Sequence, residues 1–528
     1  MLFALIFITG SAILALELLA SRIMTPYFGV SLYIWTGILS ITLVSLALGY
    51  WWGGRLATAS VTPARLGRLF ALMPAAAGIA IVAACLIYPH AFHTLAGWSL
   101  IGGAFVACLI LLLVPLVLTS AMNPLLVALR AEKSSKSGGD AGAGLVFFVS
   151  TLGSVAGVLI TAFVLIPTLS NFTATLLVAA LLGLLSLIAA SSKMTMTGRN
   201  SVLACGVIAL AGALLLAWQA DRYTGRNGPI AFAGATWQIE DQKSSLFGTV
   251  KILRTEADGN GRFLRMYFHD GLVQNMMESS QRSVSFYTWA LEALARAYQP
   301  RPDAVLMLGL GAGVVPGRFA ASGSKVDVVE IDPSSIAVAQ RHFGLDTRKV
   351  NVIEADARAF VSRCKGSYDV VLVDLFHGDG TPDYLITREF FRDLRGCLRE
   401  NGVAVFNTFA HLDQPLAYAH LMATLTSELP QAVVHRPPLP GARHINSFIV
   451  ASARTLPPLR TVTLHDVPEQ HNTMLWDMLA QARPAASYAE GGRVISDAWN
   501  PAGFDLAANQ ATFRQGVLWQ APPALLMN

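Results

Sequence analysis

Two rhythms of apolar and polar residues run along the chain. Up to about residue 218, apolar residues come in long runs. Seven of these approach the roughly 20 residues that a membrane-crossing helix needs. They are Leu2–Leu19, Tyr33–Trp52, Leu69–Tyr88, Ser99–Met122, Gly144–Ile166, Phe172–Ala190 and Val202–Trp218. The first lacks a basic leader and runs into "LELLASRIMTPYFG" without a small-residue cleavage site, so it reads as a span and not as a cleaved signal. From about Arg226 the runs shorten. "LFGTVKILRTEADGNGRFLRMYFHDGLVQ" alternates apolar and polar residues around Gly, Asp and Asn turns, which predicts a small antiparallel sheet. "SVSFYTWALEALARAYQ" has helical spacing and is stopped by Pro300 and Pro302. "AVLMLGL", "KVDVVEID", "VNVIEAD", "YDVVLVDLF" and "GVAVFNTF" then read as strands, with the helix-like "VVPGRFAAS", "PSSIAVAQRHF" and "ARAFVSRC" between the first four. Such alternation predicts a parallel sheet with helices on both faces.

Composition agrees with this division. Of 528 residues, 54% are hydrophobic and 13% charged, against about 25% charged in a soluble globular protein. Met1 to Ala220 holds nine Lys/Arg and only three Asp/Glu. The net charge of +5 therefore comes from loops between the apolar runs, and it does not describe a nucleic-acid surface. Arg55, Arg65 and Arg68 lie in one loop, Arg130, Lys133 and Lys136 in another, Lys193 and Arg199 in a third, while the alternate loops around "PHAFHTLAGW" and "PTLSN" carry none. The positive-inside rule puts the basic loops in the cytoplasm. With seven spans the polar half then falls on the opposite face. Glu17 and Arg22 flank the end of the first span, and a charge so placed is a functional-site hypothesis. Gly153 and Gly157 have the GxxxG spacing of close helix packing. The five cysteines show no metal-ligand spacing, and no metal site is expected.

The candidate chemistry lies at strand ends, where ligands bind in parallel sheets. Gly309, Gly311 and Gly313 follow the first strand and suit a close backbone approach to a ligand. A dinucleotide fingerprint would put its third glycine at Val314. The observed G-x-G-x-G is instead common where S-adenosylmethionine-type nucleosides bind. Glu330 ends the second strand and could accept both ribose hydroxyls; Asp356, followed by Ala357, ends the third and could accept from an adenine amino group. Each acid alone could equally cap a helix, and Asp332, before Pro333, reads as such a cap. Asp374, His377, Asp379 and Asp383 follow the fourth strand, a carboxylate-rich loop suited to a cationic substrate or a general base.

The order "HDGLVQ", a helix bearing Tyr287, "LGLGAG", "VEID", "EADAR", "VLVDLF" resembles the spermidine/spermine synthase family of polyamine aminopropyltransferases over roughly residues 244–409. The membrane half, with "GYWWGGRLA" and "STLGSVAGVLITAFVLIP", resembles the multi-span segment of the family's membrane-bound bacterial branch. The resemblance implies a membrane domain over 1–220, a small β-domain over 226–278, a Rossmann-like catalytic domain over 279–455 and a C-terminal extension over 456–528 packed on it. It implies an aminopropyl group transferred from decarboxylated S-adenosylmethionine to an amine or other nucleophile, a homodimer and a bacterial inner-membrane location. Gln274 would contact the nucleoside or amine end and Tyr287 would line the substrate channel. Glu330 would bind ribose, Asp356 and Ala357 adenine, and Asp374 would shape the reaction centre. The chain departs from the family at two points. Ala312 stands where the family carries the aspartate that holds the donor's ammonium, which makes S-adenosylmethionine itself a candidate donor. The family's D-S-S-D is here Asp374-Leu375-Phe376-His377 followed by Asp379, so the base is Asp379 or His377. A methyltransferase and a non-catalytic sensor of nucleosides or polyamines, coupled to a transporter-like membrane domain, are the competing readings. A cytosolic cosubstrate favours a cytoplasmic catalytic domain, against the loop charges.

Overall fold

The structure, a computed structural model, describes residues 1–30, 32–60, 62–133, 142–376, 380–411, 415–439, 444–502, 513–516, 518 and 520–528. The chain divides into two compact units. One comprises Met1–Gly234, Ser244–Gly248 and Gln515–Asn528, the other Ala235–Lys243 and Thr249–Arg514. Of the stretch 456–528, the residues through Arg514 thus lie in the second unit and the rest in the first.

All seven long apolar runs form helices, each longer than its run: α1 (Leu2–Phe28), α2 (Leu32–Ala59), α3 (Pro63–Trp98), α4 (Leu100–Ala131), α5 (Ala143–Thr168), α6 (Asn171–Ser191) and α7 (Arg199–Trp218). Each is long and apolar enough to cross a membrane. Polar side chains cap the starts of three of them. Thr62, Ser99 and Ser170 accept from the backbone of Arg65, Gly102 and Thr173. The GxxxG pair brings α5 against α1. A Cβ on Gly153 would meet the Phe7 carbonyl oxygen at 2.0 Å, and one on Gly157 that of Ser11 at 2.2 Å. Ser11 donates to the Gly153 carbonyl at 2.7 Å and Ser154 to that of Gly10 at 2.9 Å. Two five-residue π-helical turns, Leu109–Leu113 and Thr161–Leu165, interrupt α4 and α5. The short strand β1 (Ile230–Phe232) follows α7.

Save for Ser244–Gly248, the second unit holds β2 (Ala235–Ser245), β3 (Gly248–Thr255), β4 (Leu264–His269) and β5 (Leu272–Glu278), which form the expected antiparallel meander. Next come α8 (Phe286–Tyr298), β6 (Ala304–Leu308), α9 (Val314–Ala321), β7 (Lys325–Glu330), α10 (Pro333–His342), β8 (Val350–Glu354), α11 (Ala357–Val361) and β9 (Tyr368–Val373). The chain continues through α12 (Arg388–Cys397), β10 (Leu398–His411), α13 (Pro415–Glu428), β11 (Gln431–His435), β12 (His444–Ser452), α14 (Glu469–Ala480) and β13 (Arg483–Pro484). The large sheet runs β13-β11-β12-β10-β9-β6-β7-β8. It is parallel from β10 to β8, and antiparallel where β12 joins β10 and β11. Both faces are buried, as the period of two requires. Leu306, Leu308, Val371, Val373 and Phe406 pack in one core with Phe390, Phe391 and Leu394 of α12. Their alternates Val305, Met307, Val370, Leu372 and Val405 pack in another with Leu291 and Leu294 of α8.

From β6 the chain builds outward through β7 to β8, then returns to β6's other side as β9. The strand order reverses there, so a crevice opens at the carboxyl ends of β6 and β9.

Candidate functional site

The glycine turn follows β6 directly. Gly309 has φ +89°, and a Cβ there would meet the Asp374 carbonyl oxygen at 2.2 Å. Asp374 N–H donates to the Leu308 carbonyl at 2.9 Å. Glycine is therefore required where β6 and β9 end side by side. Gly311 has φ +53°, and its open side faces the Tyr287 hydroxyl, 3.8 Å from the position of a Cβ. Gly313 ends the turn in the left-handed region as the residue before α9. Ala312 points elsewhere. It is buried and packs with Val250, Ile252, Tyr267, Met277 and Phe343. An aspartate side chain in that place would enter an apolar cluster.

Glu330, at the end of β7, braces this turn. Its Oε2 accepts from Leu310 N–H at 2.9 Å and its Oε1 from Asp332 N–H at 2.8 Å. Burial raises its pKa, against these backbone hydrogen bonds, which lower it. Each carboxylate oxygen keeps lone pairs for a further donor such as a ribose hydroxyl. Asp332 caps α10 as expected, accepting from Ser334 N–H. Asp356 also serves as a cap, with Oδ1 accepting from Ala359 N–H at 2.8 Å while Oδ2 accepts from the Tyr384 hydroxyl at 3.1 Å. Ala357, behind it, is buried against the sheet core.

Asp374 follows β9 at the crevice. It retains a partly open edge but lies deep in the unit. Burial pushes its carboxyl up to about 6, against a lowering hydrogen bond from Asn407 and with the charge of Glu330 adding to the rise. Asn407 Nδ2 donates to Asp374 Oδ1 at 2.9 Å, and Asn446 Nδ2 donates to Asn407 Oδ1 at 3.0 Å. The second bond orients the first amide, so that its NH2 faces the acid. Tyr287 stands near the Asp374 charge, and burial, with that charge, raises its phenol pKa. Asn275 Nδ2 donates to the Tyr287 hydroxyl at 3.3 Å. Gln274 is the extra residue of a β-bulge, because Tyr267 pairs with Asn275 and the next residue, Phe268, with Val273. Such a bulge redirects side chains, and it is Asn275, not Gln274, that reaches Tyr287. His377 and Asp379 lie outside the described residues.

Asp374, Tyr287, Glu330 and the three glycines thus meet around one crevice. Asn407, Asn446 and Asn275 join them unannounced by the motifs. The one sequence signal for Asn407 was a polar residue ending the apolar strand "GVAVF". Among the described residues no cluster of three or more His, Cys, Asp or Glu could hold a metal.

A family model described as the spermine/spermidine synthase domain matches residues 285–439. The similarity to that domain is thus confined to residues 285–439. A polyamine aminopropyltransferase of Vibrio vulnificus is 38% identical over 136 residues, 25% of this chain and 44% of that protein. An N-terminal histidine N-methyltransferase of Emericella nidulans is also 38% identical, over 116 residues, 20% of this chain and 21% of its own. The chain thus spans less than half the length of either relative. A probable spermidine synthase from Corynebacterium glutamicum is similar in structure at a TM-score of 0.40 and 21% identity, covering 49% of this chain and 96% of its own. The match to the synthase domain contains Tyr287, Glu330, Asp356 and Asp374. Gln274 and Asn275 precede it.

Proposed function

We propose that the synthase domain transfers an alkyl group from decarboxylated S-adenosylmethionine, or from S-adenosylmethionine, to an amine, releasing methylthioadenosine. The observation that carries this reading is Asp374, a carboxyl held near neutrality beside a glycine turn that can seat a nucleoside. A base is most useful when its pKa lies near the working pH. In this scheme Asp374 takes a proton from the ammonium of the acceptor. The neutral nitrogen then attacks the carbon beside the sulfonium. The C–N bond forms as the C–S bond breaks, its electron pair stays on sulfur, and a neutral thioether leaves. Positioning does the rest, since the sulfonium already activates the carbon. Glu330 would hold the ribose and Tyr287 would line the path of the amine. Asp356 would serve the adenine with what lone pairs remain beyond its cap and Tyr384. The apolar seat of Ala312 leaves no acid for the donor's ammonium there, which favours a donor bearing its own carboxylate.

The helical unit would anchor the enzyme as a multi-pass protein in the bacterial inner membrane. Large apolar side chains such as Leu43, Phe163, Ile208 and Leu215 are exposed on its helices, as lipid-facing positions would be.

Methyl transfer is the second reading, favoured by the match to the histidine N-methyltransferase. Purified full-length protein incubated with each donor and putrescine separates the two. Methylthioadenosine in the chromatogram is expected. S-adenosylhomocysteine in its place would transfer the assignment to methylation, and neither product from either donor would end the catalytic reading.

A further inference from the structure

The seven spans contain one carboxylate. Of the three acids before Asp221, Glu132 and Asp140 fall between the spans α4 and α5, and only Glu17 lies within one. A carboxylate inside a membrane is expensive and needs a partner. Among the described residues no cation pairs with it. Arg22, one turn on, donates to the Leu246 carbonyl. The group that faces Glu17 is the Thr42 hydroxyl of α2, close enough to interact with the carboxyl but without a hydrogen bond of normal geometry. Thr42 is only 3% exposed, so water does not satisfy it.

Irregular helical turns pack against the two helices that carry this pair. The π-helical turn Leu109–Leu113 touches both α1 and α2, and the turn Thr161–Leu165 touches α1. Such turns loosen the backbone ladder and recur at functional sites. Thr161 is buried with its hydroxyl also unpartnered. From Thr42 toward the end of α2 that carries Arg55, polar groups continue. Ser45 is buried on α2, Tyr50 hydrogen-bonds Asn123, and Asn123 donates to Ser150 at 3.3 Å. Thr42 and Tyr50 are eight residues apart, about 12 Å along a helix. In the other direction, the edge-to-face rings of Tyr27 and Phe28 against Phe92 close the unit.

We propose that Glu17 and Thr42 form a binding site for a protonated primary amine inside the helical unit, reached past Tyr50 and Asn123 from the face with the basic loops. The chemistry matches in number. Two carboxylate oxygens and one hydroxyl are three acceptors, and an alkylammonium offers three N–H donors. A divalent metal would ask for six or more oxygens. The depth of the site rests on the membrane reading above, and the choice of amine on the proposed acceptor.

The test uses full-length protein in nanodiscs and radiolabelled putrescine, with Asp374→Asn as the background so that the catalytic crevice does not mask the result. Saturable binding is expected in that background, weakened at least tenfold by adding Glu17→Gln, weakened several-fold by Thr42→Val and largely retained by Glu17→Asp. Equal binding with Glu17 and with Glu17→Gln, or displacement by sodium with no saturable putrescine, would overturn the site. The single variant Glu17→Gln, with Asp374 intact, should stay monodisperse and still release methylthioadenosine. Amine binding lost with Glu17→Gln in a protein that never releases methylthioadenosine would sink the catalytic reading and leave this site standing.

Discussion

A carboxyl that titrates near 6 is a base above that pH and a spent acid below it. Asp374 must be ionised to take a proton, so turnover should fall as pH drops through about 6 and level off above it. Asn407 donates to the ionised form and holds the value down. A hydrogen bond to a charged group contributes about 1.5–3 kcal/mol, and one pKa unit corresponds to about 1.36 kcal/mol. Asn407→Ala should therefore move the acid limb up by about one to two pH units. Asn446→Ala, which only frees the amide of Asn407, should move it less and in the same direction. Asp374→Asn should abolish release of methylthioadenosine while leaving nucleoside binding measurable by calorimetry. A flat pH–rate profile in the unmodified protein would remove Asp374 from the role of base. The pair of asparagines was not legible in the chain as written. Asn407 and Asn446 are 39 residues apart, and only the antiparallel pairing of β10 with β12 brings them together. Asp374 was legible, because a carboxylate closing the apolar run Val370–Val373 stands at a strand end, where ligands bind in parallel sheets.

At the level of elements, strands and helices could be read wherever their period was strong. Every long apolar run became a helix, and every βα alternation became a layer of the sheet. What escaped was direction. Ala312 sits in a motif that promises contact with a ligand, yet its Cβ points into an apolar cluster. Asp356 spends one oxygen on the first turn of α11 because the helix begins on the next residue. The π-helical turns left no trace in the hydropathy, since their residues are as apolar as those around them. The GxxxG pair was a weak sign that the geometry makes specific. Gly153→Leu would drive a side chain into the backbone of α1, where even a Cβ lies 2.0 Å from an oxygen. Overpacking of this kind costs about 1–3 kcal/mol or more. A thermal unfolding midpoint several degrees lower is expected, together with poorer yield in detergent. Gly54→Ala, on α2, meets nothing within 4 Å and should leave the midpoint unchanged. Equal stability of the two variants would mean that α1 and α5 do not pack through this pair.

For the whole molecule, the number of crossings decides which compartment meets the α/β unit. Arg55 lies near the end of α2, Arg65 and Arg68 near the start of α3, and Lys193 between α6 and α7; the turns at residues 29–31 and 169–170 carry no Lys or Arg. The basic turns all lie on one face if every helix crosses, and the bias of Lys and Arg toward the cytoplasm makes that face the inner one. Seven crossings then put everything after Trp218 on the outer face. The last apolar run, Val202–Trp218, is short for a crossing. The helix that forms there, Arg199–Trp218, has 20 residues, enough to span roughly 30 Å of hydrocarbon at 1.5 Å per residue. Alkaline phosphatase fused after Asn528 is therefore expected to be active in intact cells, and a green fluorescent protein fused there to stay dark. The opposite result would place the domain with the cytosolic nucleosides, and it would require one helix to lie along the membrane. The expected result carries a chemical demand of its own: under the proposed reaction, an adenosyl donor from the cytosol would have to be delivered across the membrane before Asp374 could serve as its base.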